Sequence, residues 1–131
     1  MKRYLADTHA LVWFLSQPVK LGRRAARVFD GLGVTAEVHV STISLWEVAL
    51  LHDEGHLRLA EGFSAWCDAL ARVNGIRLEP LLPDDVEHAR SLGALSDPSD
   101  RLIAGTALRL GVPMLSKDSR LRAERLLELV W

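Results

Sequence analysis

The chain has 131 residues, of which 49% are hydrophobic and 25% are charged, and its formal net charge is -1. This length supports one domain with a buried core, residues 1–131, and the composition excludes a disordered or fibrous chain. A net charge so close to zero also excludes a general electrostatic attraction to nucleic acids, so any such binding must come from a local surface.

Hydrophobic periodicity predicts strands and helices that alternate along the chain. Strands are predicted at 2–6, 35–41, 76–81, 112–116 and 127–131. Helices are predicted at 8–16, 21–32, 43–55, 62–75, 83–93 and 98–110, with one or two helical turns within 118–126. This alternation favours an α/β fold, a three-layer sandwich with a central, mainly parallel sheet.

The first residues place two basic side chains before an apolar stretch, an arrangement that superficially suggests a secretion signal. Asp7 and His9 interrupt that stretch and no small-residue cleavage site follows, so we do not expect export. No segment is apolar for long enough to cross a bilayer. The single cysteine, Cys67, cannot form an internal disulfide, and we expect a reducing, cytoplasmic location.

The segment SDPSDRLIAG, residues 96–105, begins a helix with two acids three positions apart. Asp97 suits the N-cap because Pro98 follows at the first helical position. Asp100 shares a helical face with apolar residues three, four and seven positions further on, and that face should pack inward. We therefore predict that Asp97 caps the helix and that Asp100 points inward at the end of the sheet.

Three further acids are candidates for the same region. Asp7 follows the first strand and Asp118 follows the strand at 112–116, and parallel sheets bind ligands beyond the carboxyl ends of their strands. Taken singly, each of these two also suits a helix N-cap. Glu47 lies on a mostly apolar helix face, where a charged carboxylate needs a cation, a proton or solvent.

Four carboxylates in one cleft would repel one another unless a divalent cation neutralised them or some of them were protonated. Oxygen-only ligands favour a hard ion, Mg²⁺ or Mn²⁺, which can activate water and neutralise charge on a phosphoryl group. Nearby hydroxyls could orient carboxylates or cap helices, and the sequence leaves both roles open for Thr8, Ser41, Ser44 and Ser116.

Charge is unevenly distributed in the last third of the chain. Residues 79–100 carry six acids against one arginine, and residues 101–125 carry six bases against two acids. An acidic site beside a basic surface suits a metal centre that handles a polyanion, although solvated helix faces produce the same pattern.

Segments in a distinctive order and spacing span nearly the whole chain: YLADTHALVW, VSTISLWEVAL, DPSDRLIAGTALRLGVPMLSKDSRL and the terminal LELVW. Together they resemble the PIN-domain nucleases, and within them the VapC-type toxins of bacterial and archaeal toxin–antitoxin systems. The resemblance implies a metal-dependent endoribonuclease, with Asp7, Glu47 and Asp100 at the principal acidic positions and Asp118 at a more variable fourth. It also implies a homodimer and a cognate antitoxin that carries a DNA-binding domain.

In this interpretation the basic residues after Asp100 face RNA, with Arg101, Lys117 and Arg120 as candidate contacts, although a solvated helix face explains each of them singly. The tryptophans are interpreted as core or interface residues rather than as platforms for bases: Trp13, Trp46, Trp66 and Trp131.

The chain departs from the family pattern at His9, where Asn is common, and at Ser99, where an aromatic residue is common. Neither departure removes an acid. His9 also counts against a phosphatase of the haloacid-dehalogenase kind, which needs a second Asp at that position. The alternatives that stay open are a PIN-like module with a degenerate site that acts through protein binding, and a Mg²⁺-dependent phosphohydrolase of another family.

Overall fold

The computed structural model describes residues 1–122 and 124–131, and its strands are all parallel. In chain order the strands are β1 (Lys2–Ala6), β2 (Ala36–Ser41), β3 (Ile76–Glu79), β4 (Met114–Leu115) and β5 (Leu129–Val130). They form one sheet in the order β3-β2-β1-β4-β5. In chain order, β2 and β3 extend the sheet on one side of β1, and β4 and β5 then extend it on the other side. This reversal opens a crevice at the carboxyl ends of β1 and β4.

The helices lie between these strands as the sequence predicts. They are α1 (Thr8–Ser16), α2 (Arg23–Asp30), α3 (Thr42–Asp53), α4 (Phe63–Ala71), α5 (Pro83–Arg90), α6 (Pro98–Leu110) and α7 (Ser119–Arg122), with a 3₁₀ turn at Pro18–Lys20. The helix predicted at 62–75 is shorter than expected, and the strand predicted at 112–116 pairs over two residues. Part of the helical prediction at 118–126 falls on Ala123, outside the described residues.

Alternation of side chains along β1 separates the interior into two apolar clusters. Tyr4 and Ala6 face a cluster that includes side chains of α1, α2, α3 and α4. Leu5 faces the opposite way, onto a cluster that includes Ile103 and Ala107 of α6. Helices therefore cover both faces of the parallel sheet, and the predicted three-layer α/β sandwich is confirmed.

The ends of α6 form as the sequence predicts. The Asp97 side chain accepts a hydrogen bond from the backbone N–H of Asp100 at 3.1 Å, with Pro98 at the first helical position. At the other end Gly111 adopts a left-handed conformation with φ 66°, which closes the helix. Asp97 is therefore the N-cap, and Asp100 lies one turn inside the helix.

Close packing of α5 on α6 depends on Gly105. A Cβ atom at this position would lie 2.3 Å from the carbonyl oxygen of Asp85, far inside van der Waals contact. The missing side chain lets the two helix backbones approach, and this contact fixes how α6 lies across the sheet. Among the residues that the structure describes, no helix is long and apolar enough to cross a membrane.

Candidate active site

The crevice between β1 and β4 contains a cavity of about 480 Å³. The acids singled out from the sequence all line it, although they come from separate parts of the chain: Asp7, Glu47, Asp100 and Asp118. Asp7 follows β1, Glu47 lies on α3, Asp100 lies in the first turn of α6, and Asp118 follows β4. The fold thus brings together carboxylates that are up to 111 positions apart in sequence.

Asp7 combines two roles that the sequence left as alternatives. Its Oδ1 accepts a hydrogen bond from the N–H of Ala10 at 2.8 Å, which makes it the N-cap of α1, and it also lines the cavity. Burial raises the pKa of Asp7, and this effect outweighs the hydrogen bonds from Ser116 and Ala10, which lower it. The carboxylate is therefore held in place, and its burial disfavours the charged form.

Glu47 is held by a hydroxyl from the opposite helix. Thr8 Oγ1 lies 2.8 Å from Glu47 Oε1 and 2.9 Å from Ser44 Oγ, so it can donate to the carboxylate while it accepts from the serine. Burial raises the pKa of Glu47 despite this hydrogen bond, and the charges of Asp97 and Asp7 raise it further. Two of the predicted hydroxyls, Thr8 and Ser44, thus support Glu47.

Asp100 lies among the other carboxylates of the cavity and also has a raised pKa. Burial and the neighbouring charges of Asp97 and Glu47 raise its pKa to about 6, against an opposing effect of Arg120. Arg120 Nη2 lies 3.3 Å from Asp100 Oδ2. This single contact to an exposed guanidinium does not offset the repulsion from the other carboxylates.

Asp118 differs from the other acids because it has a close cationic partner. Arg120 donates to both of its carboxylate oxygens, with Nη2 2.7 Å from Oδ2 and Nε 3.0 Å from Oδ1. These hydrogen bonds hold the pKa of Asp118 below its ordinary value. The hydroxyl of Ser116 accepts from the backbone N–H of Asp118 at 3.1 Å, so this serine orients the loop between β4 and α7.

The remaining predicted hydroxyl, Ser41, has a different task. It is fully buried, does not line the cavity, and accepts from the backbone N–H of Ile43 at 3.0 Å. Of the two roles left open for it, the structure therefore shows the N-cap of α3.

The donor set of the cavity suits a hard divalent cation. Its acidic oxygens are the ligands that Mg²⁺ and Mn²⁺ prefer. Burial raises the pKa of Asp7, Glu47 and Asp100, so a nearby cation would favour their charged forms. Within residues 1–122 and 124–131, no three His, Cys, Asp or Glu side chains are grouped closely enough to hold one ion as they stand. Ligation by three of these acids therefore requires side-chain rotation.

Of the three basic residues predicted to face RNA, Arg101 lies outside the cavity. The Arg101 guanidinium donates to the backbone carbonyls of Ala89 and Arg90, both at 3.1 Å, and it does not line the cavity. Carbonyl groups at the end of α5 lack partners within their own helix, and this arginine supplies one. Lys117 and Arg120, by contrast, both line the cavity.

The acidic character of residues 79–100 also has a partly structural cause. Arg109 donates to the fully buried Asp85 and lies 3.3 Å from Glu79. The ring of His39, on β2, lies 2.7 Å from the same glutamate. Glu79 and Asp85 therefore pair with basic side chains of the fold, and neither lines the cavity.

Two of the tryptophans interpreted as core or interface residues line the cavity. Trp131 also packs against the apolar cluster, as predicted. Trp13 and Trp131 are both partly exposed there, with ring centroids 5.7 Å apart in an edge-to-face arrangement. Trp66 packs against the apolar cluster, as predicted, and Trp46 is 60% exposed on α3. Spacing in the sequence could not separate these cases, because the wall contributed by Trp131 forms only when β5 pairs with β4.

Comparisons with known proteins agree with the fold and show the family. The PIN domain profile matches residues 4–125 of the chain. Ribonuclease VapC22 of Mycobacterium tuberculosis is 31% identical over 127 residues, which covers 95% of this chain and 94% of the relative. A parallel α/β sheet with an acid-lined crevice at its switch point defines the class, and the chain belongs to the PIN domain family.

Solved structures share the fold at lower identity. The structure of VapBC2 from Rickettsia felis, bound to a DNA fragment from its promoter, matches with a TM-score of 0.74 at 14% identity, and covers 97% of this chain and 96% of that chain. VapC20 of Mycobacterium tuberculosis, a toxin that cleaves the sarcin–ricin loop, matches with a TM-score of 0.66 at 18% identity, and covers 98% and 99%.

Proposed function

We propose that this protein is a Mg²⁺- or Mn²⁺-dependent endoribonuclease and that it acts as the toxin of a toxin–antitoxin pair. The observation that carries the proposal is the convergence of Asp7, Glu47 and Asp100 on one cavity, each with a raised pKa. Membership of the PIN domain family and 31% identity to a ribonuclease support RNA as the substrate.

The acids of the cavity would hold the metal ion. Asp7, Glu47 and Asp100 are the principal candidates, and Asp118 is the fourth. When bound, the ion would activate a water molecule and neutralise charge on the phosphoryl group that is attacked. This is the chemistry of phosphodiester hydrolysis.

The other side chains of the cavity orient these acids and attract the substrate. Thr8 fixes one oxygen of Glu47, and Ser116 supports Asp7 and the loop of Asp118. Lys117 and Arg120 place positive charge at the mouth of an otherwise acidic site. We infer that they bind phosphates of the RNA on either side of the bond that is cut, with Arg120 exchanging its carboxylate partners for phosphate.

The proposed binding partners follow from the same comparisons with known proteins. Two VapBC structures that contain DNA and a further toxin–antitoxin complex are similar in fold to this chain. We propose a cognate antitoxin with a DNA-binding domain, a homodimeric toxin, and action in the cytoplasm. Co-expression with the neighbouring reading frame tests the partner. A small DNA-binding protein should co-purify and suppress cleavage, and its absence would count against the toxin assignment.

The activity is tested with protein freed of any partner. It should cleave RNA with Mg²⁺ or Mn²⁺, lose cleavage in EDTA and regain it when Mn²⁺ is restored. Cleavage that persists in EDTA would contradict the proposed dependence on a metal ion. Tight binding of a co-encoded protein without cleavage under any metal would favour a degenerate binding module, and hydrolysis of small phosphate esters alone would favour another phosphohydrolase.

A further inference from the structure

The cavity has a second wall that the hydrolytic chemistry does not use. This wall is aromatic and is formed by His9, Trp13 and Trp131. His9 and Trp13 lie four residues apart on one face of α1, with ring centroids 5.5 Å apart. The rings of Trp131 and Trp13 meet edge to face, with centroids 5.7 Å apart and an angle of 60° between their planes. These rings lie within the same cavity as the acids.

Trp13 is poorly explained as a core residue. Within the residues that the structure describes, it belongs to neither of the two apolar clusters, although Val12 and Phe14 beside it both pack against one of them. The indole is instead partly exposed toward the cavity. A large aromatic side chain placed in a polar, charged cavity suggests a flat ligand rather than a packing role.

Cations near Trp13 indicate what kind of ligand this is. The ammonium group of Lys117 lies 4.6 Å from the centre of the Trp13 ring, and that of Lys20 lies 5.8 Å from it. A ring flanked by exposed lysines offers a stacking surface and phosphate-binding groups at one place. An unpaired nucleotide has the matching parts, a flat base joined to an anionic phosphate.

Trp131, the next part of the aromatic wall, is closely packed. A Cβ atom at Gly22 would lie 2.5 Å from both the indole and the backbone of Trp131, so the absence of a side chain at Gly22 lets this tryptophan seat closely. Trp131 in turn supports Trp13 from the edge. The Trp13 ring is therefore positioned before any ligand arrives, which lowers the entropic cost of stacking on it.

We propose that Trp13 is a base-stacking platform and that the protein cuts next to an unpaired nucleotide whose base lies on this ring. Lys117 leaves the ring face and binds a phosphate of the same strand. The proposal rests on the endoribonuclease function proposed above and adds to it a requirement for an unpaired base beside the bond that is cut.

The test compares two probes in EDTA, on protein that carries Asp100→Asn so that no cleavage occurs. One probe is a short, fluorescently labelled oligoadenylate, and the other is a ribose-phosphate oligomer of the same length without bases. Fluorescence anisotropy should give about 10-fold tighter binding of the oligoadenylate. Trp13→Leu should abolish this preference, and Trp13→Phe should keep most of it.

Control variants separate the possible results. Trp46→Leu removes an exposed tryptophan that does not line the cavity, and it should leave the preference unchanged. Circular dichroism checks that the Trp13→Leu variant folds normally. If this variant still prefers the oligoadenylate, the proposal that Trp13 stacks a base is overturned. Equal binding of both probes by the parent protein would also overturn it and would leave the proposed nuclease intact. Failure to bind either probe would contradict both proposals.

Discussion

Thr8 Oγ1 lies 2.8 Å from Glu47 Oε1 and joins the start of α1 to the middle of α3 across the cavity. The threonine is buried, and the hydrogen bond keeps the carboxylate in one orientation although burial raises the pKa of Glu47. Positioning of a ligand by a hydroxyl that does not itself bind the ion is common in metal centres.

This contact predicts that Thr8→Val weakens metal binding. The substitution keeps the shape of the side chain and removes the hydroxyl, so Glu47 loses its orienting partner and its pKa rises further. Affinity for Mn²⁺, measured by isothermal titration calorimetry, should fall about 10- to 100-fold. Thr8→Ser retains the hydroxyl and should bind nearly as well as the parent. Equal affinities for the valine and serine variants would show that the hydroxyl does not act on the metal.

Asp100 should destabilise the fold when no metal is present. Its pKa in the folded chain is about 6, above the ordinary value of an aspartate. In the folded protein it therefore holds a proton that the unfolded chain releases between about pH 4 and pH 6, and the free energy of unfolding falls across that range.

Asp100→Asn should therefore raise the free energy of unfolding of the metal-free protein at pH 7.5. The expected gain is on the order of 1 kcal/mol, since solvent screens a side chain that is 31% exposed. The gain should disappear below about pH 4, where the aspartate is protonated in both states. Urea denaturation at both pH values measures it, with the exposed Glu61→Gln as control. A loss of stability at pH 7.5 would mean that Asp100 has a structural role.

The ion pair of Asp85 and Arg109 should contribute strongly to stability. Asp85 is fully buried; its burial alone would raise its pKa, but hydrogen bonds from Arg109, Leu82 and Thr106 lower it below the ordinary value. Its contribution is therefore present at neutral pH and is lost as the pH falls through this lowered pKa. Asp85→Asn leaves Arg109 without its buried counter-charge and should cost about 3–5 kcal/mol at pH 7.

A second substitution on the same helix controls for this effect. Glu87 pairs with Arg90, and both side chains are more than 70% exposed. Glu87→Gln should therefore cost less than about 1 kcal/mol in the same urea denaturation experiment. Similar costs for the two variants would mean that the buried pair contributes no more than a surface pair.

Gly105 should be intolerant of even a methyl group. The clash of a Cβ atom with the Asp85 carbonyl, at 2.3 Å, would force α6 away from α5. Gly105→Ala should lower the free energy of unfolding by about 1–3 kcal/mol although alanine favours helices. At Gly93 a Cβ atom would meet nothing within 4 Å, so Gly93→Ala should change stability by less than about 0.5 kcal/mol. If Gly105→Ala stabilised the protein, the close packing of α5 on α6 at this position would be disproved.

Local signals in the sequence predicted much of the fold and the gathering of the acids. Strand endings identified Asp7 and Asp118, and helical spacing separated Asp97 from Asp100. The contacts that long side chains make could not be predicted in this way. Arg101 and Arg109 belong to the same basic stretch after Asp100 as Arg120. Both contact residues of α5 instead of the cavity, because the packing of α5 on α6 decides which partners they reach.

The aromatic wall was missed for a similar reason. Trp13 and Trp131 lie at opposite ends of the chain and meet only because β5 returns to the sheet beside β4. A tryptophan within an apolar helix segment is usually a core residue, and nothing in the helical spacing showed that Trp13 faces the acids. His9, which departs from the family pattern, lies on the same wall.

The division between Asp97 and Asp100 gives the most direct test of a metal-dependent nuclease. Both are carboxylates in the same turn, but Asp97 is the N-cap and Asp100 lines the cavity. Rates of RNA cleavage with Mn²⁺ should be measured for Asp97→Asn and Asp100→Asn, with protein folding checked by circular dichroism. Because asparagine is an adequate cap, Asp97→Asn should retain most of the activity, whereas Asp100→Asn should show no cleavage above the EDTA background. Cleavage by Asp100→Asn at the rate of the parent protein would contradict the account.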